Sequence, residues 1–125
     1  MAKNYSASLL ADGPFVFVSG QLPEAPDGSV AEGDAVEQTR QVFRNIEAAL
    51  APHGADLRHV VKLTYYLRHI ADLQSVRQVL REFLVHEPRP ASTLVEVNGL
   101  ADSRCLVEIE AVAALPAPER RDGEG

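Results

Sequence analysis

The sequence from Arg89 to Val97 reads RPASTLVEV, and after a turn (NGLADSR, 98–104) it continues as CLVEIEAVA from Cys105 to Ala113. Both runs alternate with the period of two that is typical of β-strands, so we predict a closing hairpin over residues 88–114. One face of this hairpin is apolar. The other carries one hydroxyl and three carboxylates, those of Ser92, Glu96, Glu108 and Glu110. This polar face is where we expect chemistry.

Composition limits the class of protein. The chain has 125 residues, which suits a single domain, and we assign residues 1–115 to it and 116–125 to a disordered tail. Hydrophobic residues make up 46%, but no run is long enough to cross a bilayer, so we expect a soluble protein with no membrane partner. The net charge of −6 argues against nucleic acid as a partner.

The start of the chain and its cysteine content indicate a compartment. The first residues, MAKNYSAS, lack the charged and then apolar layout of a signal peptide, which favours the cytoplasm. Cys105 is the single cysteine, so an internal disulfide is excluded and a reducing compartment fits.

The order of elements follows from alternation, capping residues and turn residues. Residues 5–11 and 15–19 read as two strands of a first hairpin, and a glycine-rich loop follows over residues 20–33. Asp34, with Glu37 three positions later, predicts the start of a helix that ends near Pro52. Residues 60–68 form a strand, and Asp72 starts a second helix that ends before residue 88. The predicted order is ββαβαββ.

Two amphipathic helices can cover only one face of such a sheet. The other face is predicted to mix Lys62, Tyr66 and carboxylates with apolar residues such as Leu94 and Val112. Such a surface favours an oligomer with a site in the subunit interface, and an open, solvated sheet is the alternative.

Five segments carry a resemblance to a known family: YSAS, VFVSGQLP, QTRQVFRNIEAAL, VVKLTYYL and PAST-LVEV followed by VEIEAVA. In this order they resemble the Rid (reactive intermediate deaminase, YjgF) family over about residues 5–115. The resemblance implies an α+β, chorismate-mutase-like fold, with two helices on one face of a mixed sheet. It also implies a homotrimer with a central barrel and three intersubunit clefts. Active members hydrolyse small enamines and imines to ketoacids and ammonia without a metal or a cofactor.

The resemblance also implies site residues. The family's N-terminal tyrosine falls on Tyr5, its SGQ turn on Ser19, Gly20 and Gln21, and the glutamate that positions the attacking water on Glu108. The arginine that clamps the substrate carboxylate falls on Ser92, which is a departure. The cysteine two positions further on is Leu94, and an asparagine of the second helix is Arg77.

The change from arginine to Ser92 predicts an atypical substrate. A guanidinium gives a carboxylate two parallel charge-assisted hydrogen bonds, and losing it removes on the order of 2–5 kcal/mol of binding. Arg77 or Arg89 can restore a positive charge from another direction; the alternative is that both are solvated surface arginines.

Other interpretations stay open at this point. Glu108 is either a water-activating base or an interface carboxylate paired with Lys62 or an arginine. Cys105 is expected to be a core residue rather than a nucleophile, and the four histidines lack ligand spacing, so no metal site is predicted. The chain is accordingly an imine or enamine deaminase, or a trimer that binds a small metabolite without turning it over. Ribonuclease activity is a distant third.

Overall fold

A computed structural model of the chain describes residues 3–115; the predicted tail, 116–125, lies outside the described residues. Short 3-10 turns precede β2 and α2 and follow α1. The six main elements, in chain order, are β1 (Phe15–Gln21), α1 (Ala35–Leu50), β2 (Val60–Leu67), α2 (Leu73–Phe83), β3 (Ala91–Glu96) and β4 (Val107–Ala114).

The strands form one mixed sheet in the order β1-β4-β2-β3. β4 is antiparallel to both of its neighbours, whereas β2 and β3 run parallel, with α2 as the crossover between them. The helices cover one face of this sheet. The predicted fold class, an α+β mixed sheet with two helices on one face, is confirmed.

Both predicted hairpins are wrong. β3 and β4 follow each other in the chain, but β2 lies between them, so Tyr65 pairs with Leu94 on one side and with Ile109 on the other. Residues 5–11 form no strand beside β1; their one ladder contact is an isolated bridge from Ser6 to Ala91. Alternation indicates which residues share a face, but it does not indicate which strand is the neighbour.

Capping explains the start of α1 but not that of α2. The Asp34 side chain accepts a hydrogen bond of 3.0 Å from the Glu37 backbone N–H, as predicted. Asp72 also occupies the N-cap position, but its side chain makes no capping hydrogen bond. A 3-10 turn, Ile70–Asp72, leads directly into α2.

A buried amide ties α1 to the segment before β4. Gln38 is 1% exposed and donates to the carbonyls of Ala31 and Arg104, at 3.1 and 3.0 Å. Its carbonyl oxygen accepts from the Leu106 N–H at 2.7 Å. These bonds fix the chain immediately before Glu108.

The two faces of the sheet differ sharply. The face toward the helices is the core, with Leu63 and Tyr65 of β2 and Val107 and Ile109 of β4 almost completely buried. The opposite face has no covering element among residues 3–115, and large apolar residues there are exposed, including Phe15, Phe17 and Val95. Within the same residues, no helix has the length and apolar character needed to span a bilayer.

Candidate functional site

A cleft of about 800 Å³ lies between α2 and the edge strand β3. Five of the residues predicted for the site line it: Tyr5, Arg77, Arg89, Ser92 and Leu94. Its walls are otherwise mainly the apolar side chains of α2, which include Leu73, Val76 and Leu80.

The N-terminal segment places Tyr5 at this cleft. The Ser6 backbone N–H donates to the Pro90 carbonyl at 3.0 Å, and the Ser6 hydroxyl donates to the carbonyl of Arg89. The segment therefore lies beside the start of β3. Lys3 also lines the cleft, with its ammonium 5.5 Å from the centroid of the Tyr5 ring.

Two buried hydroxyls lie at the bottom of the cleft. Tyr65 is 2% exposed, and burial raises the pKa of its phenol well above the ordinary value, an effect that the Ser92 hydroxyl opposes only in part. Neither hydroxyl makes a hydrogen bond of normal geometry with residues 3–115. Buried polar groups without partners are rare and costly. Both hydroxyl oxygens have less than 1 Å² of accessible surface, so neither is open to the cleft in the protomer.

The predicted arginines differ in how free they are. Arg89 donates to the carbonyl of Leu84, at the end of α2, and pairs with Glu87 at 3.1 Å. Arg77 is exposed and has no carboxylate partner among the described residues. Of the two arginines, Arg77 is therefore the one whose guanidinium makes no ion pair with the described residues.

Three further residues that line the cleft were not predicted from the sequence as site residues. Arg81 lies one helical turn after Arg77, a spacing of four that the sequence shows directly. Tyr65 lies beside Ser92 because β2 pairs with β3, and that pairing was not predicted. Lys3 had no signal in the sequence, because its position follows from the bridge at Ser6.

Of the remaining predicted residues, Gly20 and Glu108 lie on the other face of the sheet, whereas Gln21 pairs with the core residue Ile109. β1 carries Ser19, Gly20 and Gln21, and its register against β4 shifts there, so that Ser19 and Gly20 together oppose Glu110. Gly20 packs against the Glu108 carboxylate so closely that a Cβ at this position would lie 2.0 Å from Oε2. The expectation that Glu108 shares a face with Ser92 is wrong, because Glu108 pairs with Tyr66 whereas Ser92 pairs with Leu63.

Glu108 differs in its hydrogen bonding from its neighbours on this face. The Tyr66 hydroxyl donates to Glu110 at 3.1 Å, and this hydrogen bond raises the pKa of the Tyr66 phenol. The Lys62 ammonium donates to the Thr93 hydroxyl at 2.9 Å. Within residues 3–115, no group donates a hydrogen bond to the half-buried carboxylate of Glu108.

The other candidate groups lie neither in the cleft nor beside Glu108. Cys105 is 1% exposed, and burial raises the pKa of its thiol to about 11, as expected of a core residue. Among the described residues, no three His, Cys, Asp or Glu side chains cluster as metal ligands. A second hollow of about 450 Å³, bordered by Asp56, Glu82 and His86, contains none of the predicted residues.

Comparisons with known proteins agree with this architecture. The family model described as Endoribonuclease L-PSP matches residues 1–115. A RutC family protein of Pyrococcus abyssi is 42% identical over 102 residues, which cover 81% of this chain and 79% of that protein. A second, from Pyrococcus horikoshii, is 41% identical over 110 residues, covering 87% and 85%.

Solved structures give the same result. The crystal structure of YyfA from Yersinia pestis, described as a protein of unknown function of the conserved Rid family, superposes with a TM-score of 0.77 and 35% identity. The match covers 89% of this chain and 87% of that one. The shared fold at this sequence identity and the family match over residues 1–115 together assign the chain to one family. The chain belongs to the endoribonuclease L-PSP family, to which the RutC, YjgF and Rid proteins also belong.

Proposed function

We propose that the protein is a cofactor-free hydrolase of small imines or enamines, active as a homotrimer with its sites between subunits. One observation carries the proposal: the candidate residues are divided between the two faces of the sheet. Tyr5, Ser92 and Arg77 border the cleft, whereas Gly20 and Glu108 lie on the uncovered face. Each set is incomplete alone, and a neighbouring subunit can bring the uncovered face of one protomer to the cleft of the next.

The chemistry needs one base and a bound substrate. In the proposed reaction Glu108 removes a proton from water while the water oxygen bonds to the carbon of the C=N group. The proton passes to nitrogen and gives a carbinolamine. Glu108 then takes the proton of its hydroxyl group and delivers it to nitrogen, so that the C–N bond breaks, the carbonyl forms and ammonia leaves. An unpartnered carboxylate suits this role, because no hydrogen bond must be broken before it accepts the proton.

The residue at position 92 limits the substrate. The Ser92 hydroxyl cannot form the bidentate, charge-assisted pair that a guanidinium forms with a carboxylate. We therefore propose that simple 2-imino acids, whose carboxylate adjoins the reacting carbon, are poor substrates. In this proposal, the low activity toward 2-imino acids results from the serine at position 92 and not from a change at Glu108.

Glu108→Gln tests the catalytic role. The substitution keeps the shape and one acceptor oxygen but removes the basic oxygen, so turnover of an imine substrate should fall on the order of 10²–10⁴-fold. Ligand affinity and the oligomeric state should hardly change. Steady-state rates of ammonia release from freshly generated imines, with light scattering on the same samples, measure both. Glu110→Gln is the matched control, since Glu110 is the adjacent carboxylate of the same face and already bonds Tyr66.

The same variant separates the alternatives. If Glu108 is instead one member of an ion pair across the interface, removing its charge strands the partner at about 3–5 kcal/mol, and the trimer should loosen. Unchanged turnover in Glu108→Gln would contradict the catalytic role of Glu108. No turnover of any imine by the unaltered protein would favour a trimer that binds a metabolite without reaction. Ribonuclease activity, which the family description names, fits poorly with a net charge of −6.

A location in the cytoplasm is part of the proposal. Its support is the single, buried and unpaired Cys105, which suits a reducing compartment. A Schizosaccharomyces pombe relative, 34% identical over 111 residues, is named as a mitochondrial protein. Fluorescence microscopy of the tagged protein in its own cells would distinguish the two.

A further inference from the structure

The contact between Gly20 and the Glu108 carboxylate lies where the sheet gives little support. β1 is an edge strand, so β4 is its single neighbour in the sheet. Its register against β4 shifts between Val18 and Gln21, the stretch that contains Gly20. A bulge interrupts the regular ladder of hydrogen bonds, so contacts from outside the sheet matter for the place of Gly20.

Helix α1 supplies such contacts through the side chain of Asn45. Its amide nitrogen donates to the carbonyls of Leu22 and Glu24, both at 2.9 Å. Its oxygen accepts from the Gln41 side chain, also at 2.9 Å, so the amide is bonded at both ends. Leu22 directly follows the last residue of β1. Asn45 therefore ties the segment that continues from Gly20 to the helix.

The same helix holds the start of β4. Gln38 lies about two helical turns before Asn45, and its side chain accepts from the N–H of Leu106, just ahead of Glu108. Among the described residues of α1, these are the two side chains that hydrogen-bond backbone outside the helix. Because both amides project from one helix, they set the place of one strand relative to the other.

These bonds belong to a single protomer. Gln38 is 1% exposed and Asn45 is half-buried, and α1 covers the face of the sheet opposite to the one that the proposed neighbouring subunits occupy. Assembly on the uncovered face therefore leaves both amides and their partners as they are.

We infer that Asn45 is a positioning residue of the reaction: it fixes the segment after β1 and so keeps the Gly20 backbone against the Glu108 carboxylate. The inference rests on the proposed function for the role of Glu108. Asn45 does not line the cleft between α2 and β3, so it acts on the base and not on the bound substrate. Without its amide, the segment after β1 can shift and the carboxylate can leave its position.

Asn45→Ala tests the inference by steady-state kinetics. Loss of both hydrogen bonds to the segment should lower kcat for an imine by about tenfold or more, because displacing a catalytic group by an ångström is costly. KM should change by less than about twofold, since the cleft is untouched. Asp34→Ala is the matched control, because it removes one hydrogen bond at the start of the same helix and none from residues 22–24. Equal kcat in the two variants would overturn the inference.

A double substitution separates positioning from a general loss of stability. In the Glu108→Gln background, Asn45→Ala should cause little further loss of rate, because the group that it positions is already inactive. A loss as large as in the unaltered background would show that Asn45 acts through another group, which would contradict the inference.

A measurement without turnover keeps the inference distinct from the proposed function. In nuclear magnetic resonance spectra of isotope-labelled protein, Asn45→Ala should shift the Gly20 amide and Glu108 carboxylate resonances, and Asp34→Ala should leave both in place. Unshifted resonances would overturn the inference whatever Glu108 does. Full turnover in Glu108→Gln would instead remove the proposed base, while shifted resonances would still show that Asn45 sets the position of its carboxylate.

Discussion

Gly20 packs directly against the carboxylate of Glu108. The bulge in β1 brings the glycine backbone against the carboxylate, and the missing side chain is what leaves space for it. Because the atoms that a Cβ would meet all belong to the Glu108 side chain, a larger residue displaces the carboxylate and not the backbone. Gly20 thus determines where the proposed base can be.

Gly20→Ala should therefore lower activity with little effect on folding. A Cβ 2.0 Å from Oε2 forces the carboxylate to move by an ångström or more, which we expect to lower kcat by about 10²-fold. Gly99→Ala is the control, since a Cβ there meets nothing within 4 Å. Steady-state kinetics and thermal melting of both variants decide the matter: equal activity in the two would show that the position of the carboxylate is unimportant.

At the scale of elements, the two helices begin in different ways. Asp34 bonds a free N–H at the start of α1, whereas Asp72 contributes no such bond to α2. The first turn of α1 therefore depends on one side chain, and α2 depends on the 3-10 turn before it and on its packing against the sheet.

Asp34→Ala should destabilise the protein by about 1 kcal/mol through the loss of this cap. Asp72→Ala, at the equivalent position of α2, should cost about 0.5 kcal/mol or less, as is usual for surface substitutions. Urea unfolding at one fixed protein concentration measures both. A larger loss in the Asp72 variant would mean that α2 is capped in a way that the structure does not show.

The sequence predicts elements and faces better than it predicts neighbours. The alternation of β4 and the stripes of both helices are visible from residue types alone, since burial imposes them. The position of Ser92 was misjudged because parallel pairing with β2 is a long-range contact with no local signal. That one pairing turns Ser92 toward Tyr65 and away from Glu108, so the site divides in two.

At the scale of the whole molecule, the uncovered sheet face exposes large apolar side chains. Phe17 is 76% exposed and Phe15 is 45% exposed, and their rings lie 6.2 Å apart on this face. Val95 adds a further exposed apolar side chain at the other edge of the sheet. Exposed apolar side chains of this size are typical of an interaction site, and a second and third copy of the chain are the proposed occupants.

The protein should be a homotrimer at micromolar concentration, and Phe17→Glu should dissociate it, because the substitution buries an unpaired carboxylate at the interface. Activity should fall with the trimer, since each proposed site draws on two subunits. Ile70→Glu, at an exposed apolar residue in the turn before α2, is the control. Multi-angle light scattering gives the mass directly, and a monomeric unaltered protein would rule out the interface site.

The strand order also has a consequence for biosynthesis. β1, made first, pairs along its length with β4, made last, and Phe15 lies opposite Ala114. Until β4 has been synthesised, β1 has no strand to pair with, and β2 lacks one of its two neighbours. Contacts so distant in sequence form slowly and late. The sheet therefore closes only after β4 has emerged from the ribosome, and until then the apolar residues of β1 and β2 stay exposed to aggregation.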